Sequence, residues 1–131
     1  MLTSIMRYSD PFMMLKASTY RREIKLNDLE RNIVLKEGFI RLAESSLASI
    51  DSLNDPHHCH RDTPHHGVVP KAQHATATCC RKCLFNWHRI PRYRELNEHE
   101  KAYVLHLILR WVKKETYARQ NIGVVIENGD V

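Results

Sequence analysis

The sequence has no long hydrophobic run. Nowhere do the 131 residues approach the roughly 18 consecutive apolar residues that a membrane span needs. The N-terminal stretch also lacks the cationic start of a secretory signal, and Arg7, Asp10 and Pro11 interrupt any apolar core there. We therefore expect no membrane segment and a cytoplasmic protein, whose thiols stay reduced.

Internal repeats are absent, and a histidine-rich loop is the one compositionally biased tract. A hydrophobic fraction of 43% beside 27% charged residues is ordinary globular composition. The length predicts a single domain with a modest core.

Positive charge is concentrated in one stretch. The net charge is +5, yet residues 56–94 alone carry seven basic side chains against one acidic side chain. The same stretch holds all four cysteines and seven of the nine histidines. In a reducing compartment, clustered cysteine and histidine indicate metal binding or catalysis before disulfides.

Two capping boxes mark the starts of two principal helices. Asn27 with Glu30 opens the first, predicted over 27–53, and Asn97 with Glu100 opens the second, predicted over 97–118. Gly38 is expected to weaken or bend the first helix. Its apolar residues recur at helical spacing and form the predicted core face: Leu29, Ile33, Ile40, Ala43, Leu47 and Ile50.

Residues 102–112 of the second helix are apolar on nearly every face. Such a segment is either a core helix or a surface covered by a protein partner or a second copy, and the core helix is the simpler reading. Residues 54–73 are predicted to form a loop, whose conformation a bound metal would fix.

The predicted fold is therefore mainly α: a small single domain with two principal helices around a zinc-pinned loop and a short helix. Its predicted parts are an irregular or briefly helical N-terminal arm over 1–25, a zinc-binding helical domain over 26–120, and a tail over 121–131 that is a short strand or disordered.

Five residues between 74 and 88 are the candidate zinc ligands. Zinc takes thiolates and imidazoles in a tetrahedron, and a C-x-x-C turn places two sulfurs on one side of the ion. The favoured ligands are Cys80, Cys83 and His88, with His74 or Cys79 completing the set and His58, Cys59 and His60 competing. The sequence leaves open iron in place of zinc, and cysteines that are simply small buried residues.

Helix geometry restricts this site. In one straight helix over 80–88, Cys80 and His88 would lie about 12 Å apart along the axis and could not share an ion. We therefore expect Cys80–Cys83 to form a turn with the helix beginning near Cys83; the alternative is Cys79 and Cys83 as a pair one helical turn apart.

The string H-A-T-A-T-C-C-R-x-C-L-x-x-W-H-x-I-P resembles the signature of an uncharacterised family of small bacterial and phage proteins known only as a domain of unknown function. Carried over by position, the motif falls on the following residues: His74, Cys79, Cys80, Arg81, Cys83, Trp87 and His88. The resemblance marks these residues as important and implies no reaction.

Three uses of the site stay open. The first is association with nucleic acid, in which Phe85, Trp87 and Tyr93 interleave with candidate phosphate contacts at Arg81, Lys82, Arg89, Arg92 and Arg94. The second is a metal-dependent, nuclease-like hydrolase that uses the histidine-rich loop. The third is a protein-interaction module, such as a phage-type inhibitor of a host factor. We expect binding rather than catalysis, and the zinc-deaminase pattern is missing because no H-x-E precedes the cysteines.

Overall fold

The computed structural model describes residues 11–55 and 58–127, with side chains from 12 to 117. Over this part of the chain the structure is helical and contains no strand, which confirms the mainly α prediction. The helices in chain order are α1 Pro11–Leu15, α2 Thr19–Arg22, α3 Asp28–Asp51, α4 Cys59–Asp62, α5 Val68–Ala75, α6 Arg81–His88 and α7 Glu98–Glu127. No helix in the described ranges is both long enough and apolar enough to cross a membrane.

The start of α3 follows the predicted capping box. The Asn27 side chain accepts a hydrogen bond from the Glu30 N–H at 2.8 Å, and the Glu30 carboxylate accepts one from the Asn27 N–H at 2.9 Å. The helix is kinked at Gly38, whose φ of 87° and ψ of 167° are non-helical. Left-handed φ values of this kind favour glycine.

The predicted core face of α3 is mostly wrong. Ile50 is buried, but Leu29 is 69% exposed and Ile40 is 78% exposed. Val34 and Leu42 face the core instead. The physical reason is that the buried face includes two polar side chains, so the spacing of apolar residues alone selected the neighbouring face. The buried positions recur at steps of four and eight residues: Glu30, Val34, Leu42, Ser46 and Ile50.

Helix α7 packs mainly against α3 and also against α5. Its apolar middle lies in the chain's own core, where Val104, Leu107, Ile108 and Val112 are almost fully buried. The helix continues to Glu127, past the predicted end. The expected strand or disorder in the tail is thus replaced by helix up to that residue, and 128–131 lie outside the described residues.

The segment predicted as a loop contains α4 and α5. Glu30 anchors α5 to α3, because its carboxylate accepts hydrogen bonds from the Gly67 N–H at 3.0 Å and the Lys71 ammonium at 2.7 Å. Burial raises the pKa of Glu30, but the hydrogen bonds from Lys71, Asn27 and Gly67 outweigh it and the net pKa is lowered. Residues 72–80, from the middle of α5 to the start of α6, are all buried, so the site is built on rigid backbone.

The predicted N-terminal arm contributes to the same core. Phe12 and Leu15 of α1 are buried, and Phe12 lies in the main apolar cluster with residues of α3 and α7. The side chain of Arg21 on α2 is also buried. Residues 1–10 of the predicted arm lie outside the described part of the chain.

Candidate metal centre

Four cysteine sulfurs converge at one point. The Sγ atoms of Cys59, Cys79, Cys80 and Cys83 all lie within 4.8 Å of one another. Four sulfurs placed tetrahedrally about 2.3 Å from one zinc ion would be separated by about 3.8 Å. The cluster therefore has the donor chemistry and nearly the spacing of a four-thiolate metal site.

Three chain segments bring these sulfurs together. Cys59 is the first residue of α4, Cys79 and Cys80 precede α6, and Cys83 lies in the first turn of α6. Cys80 is the N-cap of α6 in extended conformation, and its sulfur accepts the Cys83 N–H at 3.3 Å. Cys80 and Cys83 are thus close, as expected, but the helix begins at Arg81 rather than near Cys83, so the pair is an N-cap and a first-turn residue.

The tight loop before the cysteines is held by threonine hydroxyls. Thr63, just after α4, donates from Oγ1 to the Cys79 carbonyl at 2.9 Å. The Thr76 and Thr78 hydroxyls are 2.9 Å apart, and Thr76 donates to the Ala72 carbonyl at 2.7 Å. These buried bonds fix the position of Cys79 relative to both α4 and α5.

Arg21 is the cation next to the cluster. Its Nη2 donates to the Cys83 sulfur at 3.4 Å, and its Nη1 donates to the His74 carbonyl. Its guanidinium also lies 5.1 Å from the centroid of the Trp87 ring, within the range of a cation–π contact. Arg21 thus places a buried positive charge against one of the four sulfurs.

The thiols affect each other's ionisation. Burial, followed by the nearby Cys83 and Cys80, raises the pKa of Cys59 to about 11. Hydrogen bonds from Cys79 and Cys83 lower the pKa of Cys80, while the same sulfur contacts raise the pKa of Cys79. The lowered pKa of Cys80 favours its thiolate, which is the form that binds a metal ion.

His74, a predicted ligand, lies outside the sulfur cluster. Its Nε2 is 3.2 Å from the Thr63 carbonyl and 3.1 Å from the Pro64 carbonyl, and its Nδ1 is 3.4 Å from the Tyr20 hydroxyl. Burial lowers its pKa, which keeps the ring neutral. With Nε2 donating to carbonyls, the ring ties α5 to the end of α4.

His88, the other predicted imidazole ligand, is arranged in the same way. Its Nε2 is 2.8 Å from the Thr76 carbonyl and its Nδ1 is 2.8 Å from the Tyr103 hydroxyl. Burial lowers its pKa too. The ring joins the end of α6 to the loop and to α7, so both of its nitrogens are engaged away from the sulfurs.

The five residues predicted to contact phosphate differ in burial and in their partners. Arg81 is buried, and it donates to the Arg94 carbonyl at 2.7 Å and to the Pro91 carbonyl. Arg92 is paired with Asp55 at 2.6 Å, and Arg94 is paired with Glu100 at 2.6 Å. Lys82 and Arg89 are exposed. Three of the five predicted contacts, Arg81, Arg92 and Arg94, are therefore engaged with other groups of the protein.

A cleft of about 450 Å³ opens beside the sulfurs. Cys59, Cys80 and Cys83 form one side of it. Polar and basic side chains line the remainder: His58, His60, Arg61, Lys82, Asn86 and Arg92. The sulfur cluster thus borders a basic opening.

Two features of the site were not singled out from the sequence. Cys59 was only one of several competitors for the fourth position, although it is the one cysteine outside the 79–83 cluster. Nothing in the sequence marked Arg21 as part of the site, because no local motif relates it to a cysteine 62 residues away.

Comparison with known proteins identifies a family. Residues 9–113, most of the chain, match a family model described as Domain of unknown function (DUF4186). No solved structure matches the chain. The match confirms the resemblance to an uncharacterised family, and the bacterial or phage origin stays a prediction.

Proposed function

The chain belongs to the family described as Domain of unknown function (DUF4186), and we propose that it is a zinc-binding protein with a structural four-cysteine centre. The proposal is carried by one observation, the convergence of four sulfurs within 4.8 Å. In cysteine-rich tetrahedral sites, zinc is the ion that structural domains most often hold. The ligands are Cys59, Cys79, Cys80 and Cys83.

The ion would add a link between α4 and α6 to the hydrogen bonds that already hold the end of α4. The four-residue helix α4 is too short to be stable alone, and the ion would attach it through Cys59 to the start of α6. Four protein ligands fill a tetrahedron and leave no position for a water molecule, which favours a structural role over the hydrolase alternative.

Metal analysis of the purified chain tests the ligand set. We expect one zinc per chain, and a cobalt-substituted protein with the absorption of a tetrahedral four-thiolate complex. Cys59→Ser should weaken metal binding strongly and lower the unfolding midpoint, because metal affinity is coupled to folding. His60→Asn, an exposed neighbour of Cys59, serves as the control and should leave the cobalt spectrum unchanged.

A Cys59→Ser protein that keeps stoichiometric zinc and the parent cobalt spectrum contradicts the four-cysteine set. Iron in place of zinc would appear as the visible absorption of ferric thiolate in the protein as purified. That result would support the four-cysteine site with iron rather than zinc as its ion.

The second element of the proposal is association with nucleic acid along the basic cleft. The supporting observation is the placement of Arg61, Lys82 and Arg92 around one opening. Such side chains bind phosphates without reading sequence. Pairing of Arg92 with Asp55 and of Arg61 with Asp62 reduces the available charge, so we expect weak, salt-sensitive binding.

Fluorescence anisotropy with a labelled single-stranded oligonucleotide tests this association. We expect log Kd to vary linearly with log salt, and Lys82→Gln to reduce the slope by about 1. The exposed Lys36 on α3, far along the chain from the cleft, provides the control variant Lys36→Gln. Equal slopes for the two variants would contradict the cleft as the contact surface.

A further inference from the structure

A second cavity, of about 110 Å³, lies between the N-terminal helices and α7. Buried Phe12, Leu15 and Trp111 supply apolar surface to it. Its charged lining consists of five cations and one carboxylate: Lys16, Arg21, Arg22, Lys25, Lys114 and Glu115. Apolar walls with a few convergent charges are typical of small-molecule sites.

The carboxylate does not neutralise this lining. Glu115 Oε1 accepts the Leu26 N–H at 3.0 Å, and Oε2 lies 3.8 Å from the Lys25 ammonium. Arg21 is directed to the His74 carbonyl and to Cys83. These contacts engage Glu115, Lys25 and Arg21 with the protein itself, and Arg22 donates to the Lys16 carbonyl at 3.1 Å. Of the five lining cations, the ammonium groups of Lys16 and Lys114 remain to be explained.

Lys16, directly after α1, and Lys114, on α7, both line this cavity. Burial, then the neighbouring Lys16 and Arg110, lower the pKa of Lys114, and Glu115 opposes them only as the weakest influence. Two cations held together disfavour the charged form of each other. An anion placed between them removes this repulsion and gains two charge-assisted hydrogen bonds.

We infer that this cavity binds a small organic anion, with Lys16 and Lys114 on its phosphate or carboxylate group and Phe12 and Trp111 against its apolar body. The volume of about 110 Å³ is a few times the roughly 30 Å³ that a water molecule occupies in the liquid. It therefore suits an anionic group with a compact apolar substituent. Arg21 lines this cavity and also contacts Cys83, but none of the cluster cysteines lines it, so the anion would not contact the proposed metal ligands.

Calorimetric titration of the zinc-loaded chain tests the inference with three probes: inorganic phosphate, phenyl phosphate and butyrate. We expect saturable binding of phenyl phosphate, tighter than that of inorganic phosphate because the apolar walls are used. Binding of butyrate that is tighter than binding of phenyl phosphate would support the site, with a carboxylate as the charged group of the ligand. Trp111 lines the cavity, so ligand binding should also change tryptophan fluorescence.

Lys114→Gln provides the decisive variant. Removing one of the two ammonium groups should weaken binding about tenfold, while the unfolding midpoint without ligand stays equal or rises because the repulsion is relieved. Lys36→Gln is the matched control and should bind like the parent chain. Saturable binding by none of the probes, or undiminished affinity in Lys114→Gln, would overturn the inference.

Discussion

Arg21 donates a hydrogen bond to the sulfur of Cys83, with Nη2 3.4 Å from Sγ, across 62 residues of sequence. The contact joins α2, in the segment expected to be an arm, to the sulfur cluster. The same guanidinium lies against the Trp87 ring and reaches the His74 carbonyl. One buried cation thereby links α2, α5 and α6 around the sulfurs.

Replacing Arg21 by lysine should show how much of the stability around the sulfurs depends on the guanidinium group. Lysine keeps the charge but loses the planar fork and the stacking on Trp87. We expect a loss of about 2 kcal/mol in the free energy of unfolding, and faster zinc transfer to a chromogenic chelator. The exposed neighbour Arg22 gives the control variant, Arg22→Lys. Equal transfer rates in both variants would show that Arg21 does not protect Cys83.

The assignment of His88 as a structural residue leads to a second prediction. His88→Gln leaves the Thr76 carbonyl or the Tyr103 hydroxyl without its partner, so we expect a loss of about 1–3 kcal/mol in unfolding free energy. Zinc content should not change, because the ring nitrogens bond elsewhere. A folded variant with reduced zinc would restore His88 as a ligand.

Arg89 occupies a position suited to glycine. It caps α6 with φ 60° and ψ 30°. The Arg89 N–H donates to the Phe85 carbonyl at 3.0 Å, and the Ile90 N–H donates to the Leu84 carbonyl at 3.2 Å. Glycine adopts this conformation without a Cβ penalty, so Arg89→Gly should raise the unfolding free energy by about 1 kcal/mol. Arg89→Ala keeps the Cβ and should give no such gain in the same denaturant titration.

Any side chain introduced at Gly38 should lower the free energy of unfolding. A Cβ there would meet no atom within 4 Å, so the penalty comes from the backbone φ of 87° rather than from crowding. We expect Gly38→Ala to lower the unfolding free energy by about 1–3 kcal/mol. Glu37→Ala, one residue earlier and exposed, controls for helix propensity. Equal or higher stability of Gly38→Ala would mean that α3 straightens without loss.

The ion pair of Glu100 with Arg94 predicts a pH dependence. The hydrogen bond from Arg94 lowers the pKa of Glu100 to about 2, below its ordinary value of about 4.3. The pair therefore stabilises the fold fully above that ordinary value, and the contribution is lost as pH falls towards 2.

Glu100→Gln tests this directly. At pH 7 the variant should be less stable by about 1 kcal/mol or less, since the pair is partly exposed. The difference from the parent chain should shrink as urea unfolding is repeated between pH 6 and pH 3. A difference that stays constant over this range would contradict the assignment.

Helix starts could be predicted because their determinants are local. Asn27 with Glu30 and Asn97 with Glu100 form the expected reciprocal bonds over three residues. The apolar face of α3 could not be read in the same way. Its buried positions include Glu30 and Ser46, which an apolar pattern leaves out, so the spacing of apolar residues selected the neighbouring face.

By itself the sequence determined the helical class, the two capped helices, the family resemblance and the importance of the segment around Cys79, Cys80 and Cys83. Only the tertiary structure decided that Cys59 completes the sulfur cluster, and that His74, His88 and Arg81 bond to backbone carbonyls instead. The physical reason is distance along the chain. Periodicity and capping act over three or four residues, whereas a ligand set forms where packing brings remote segments together.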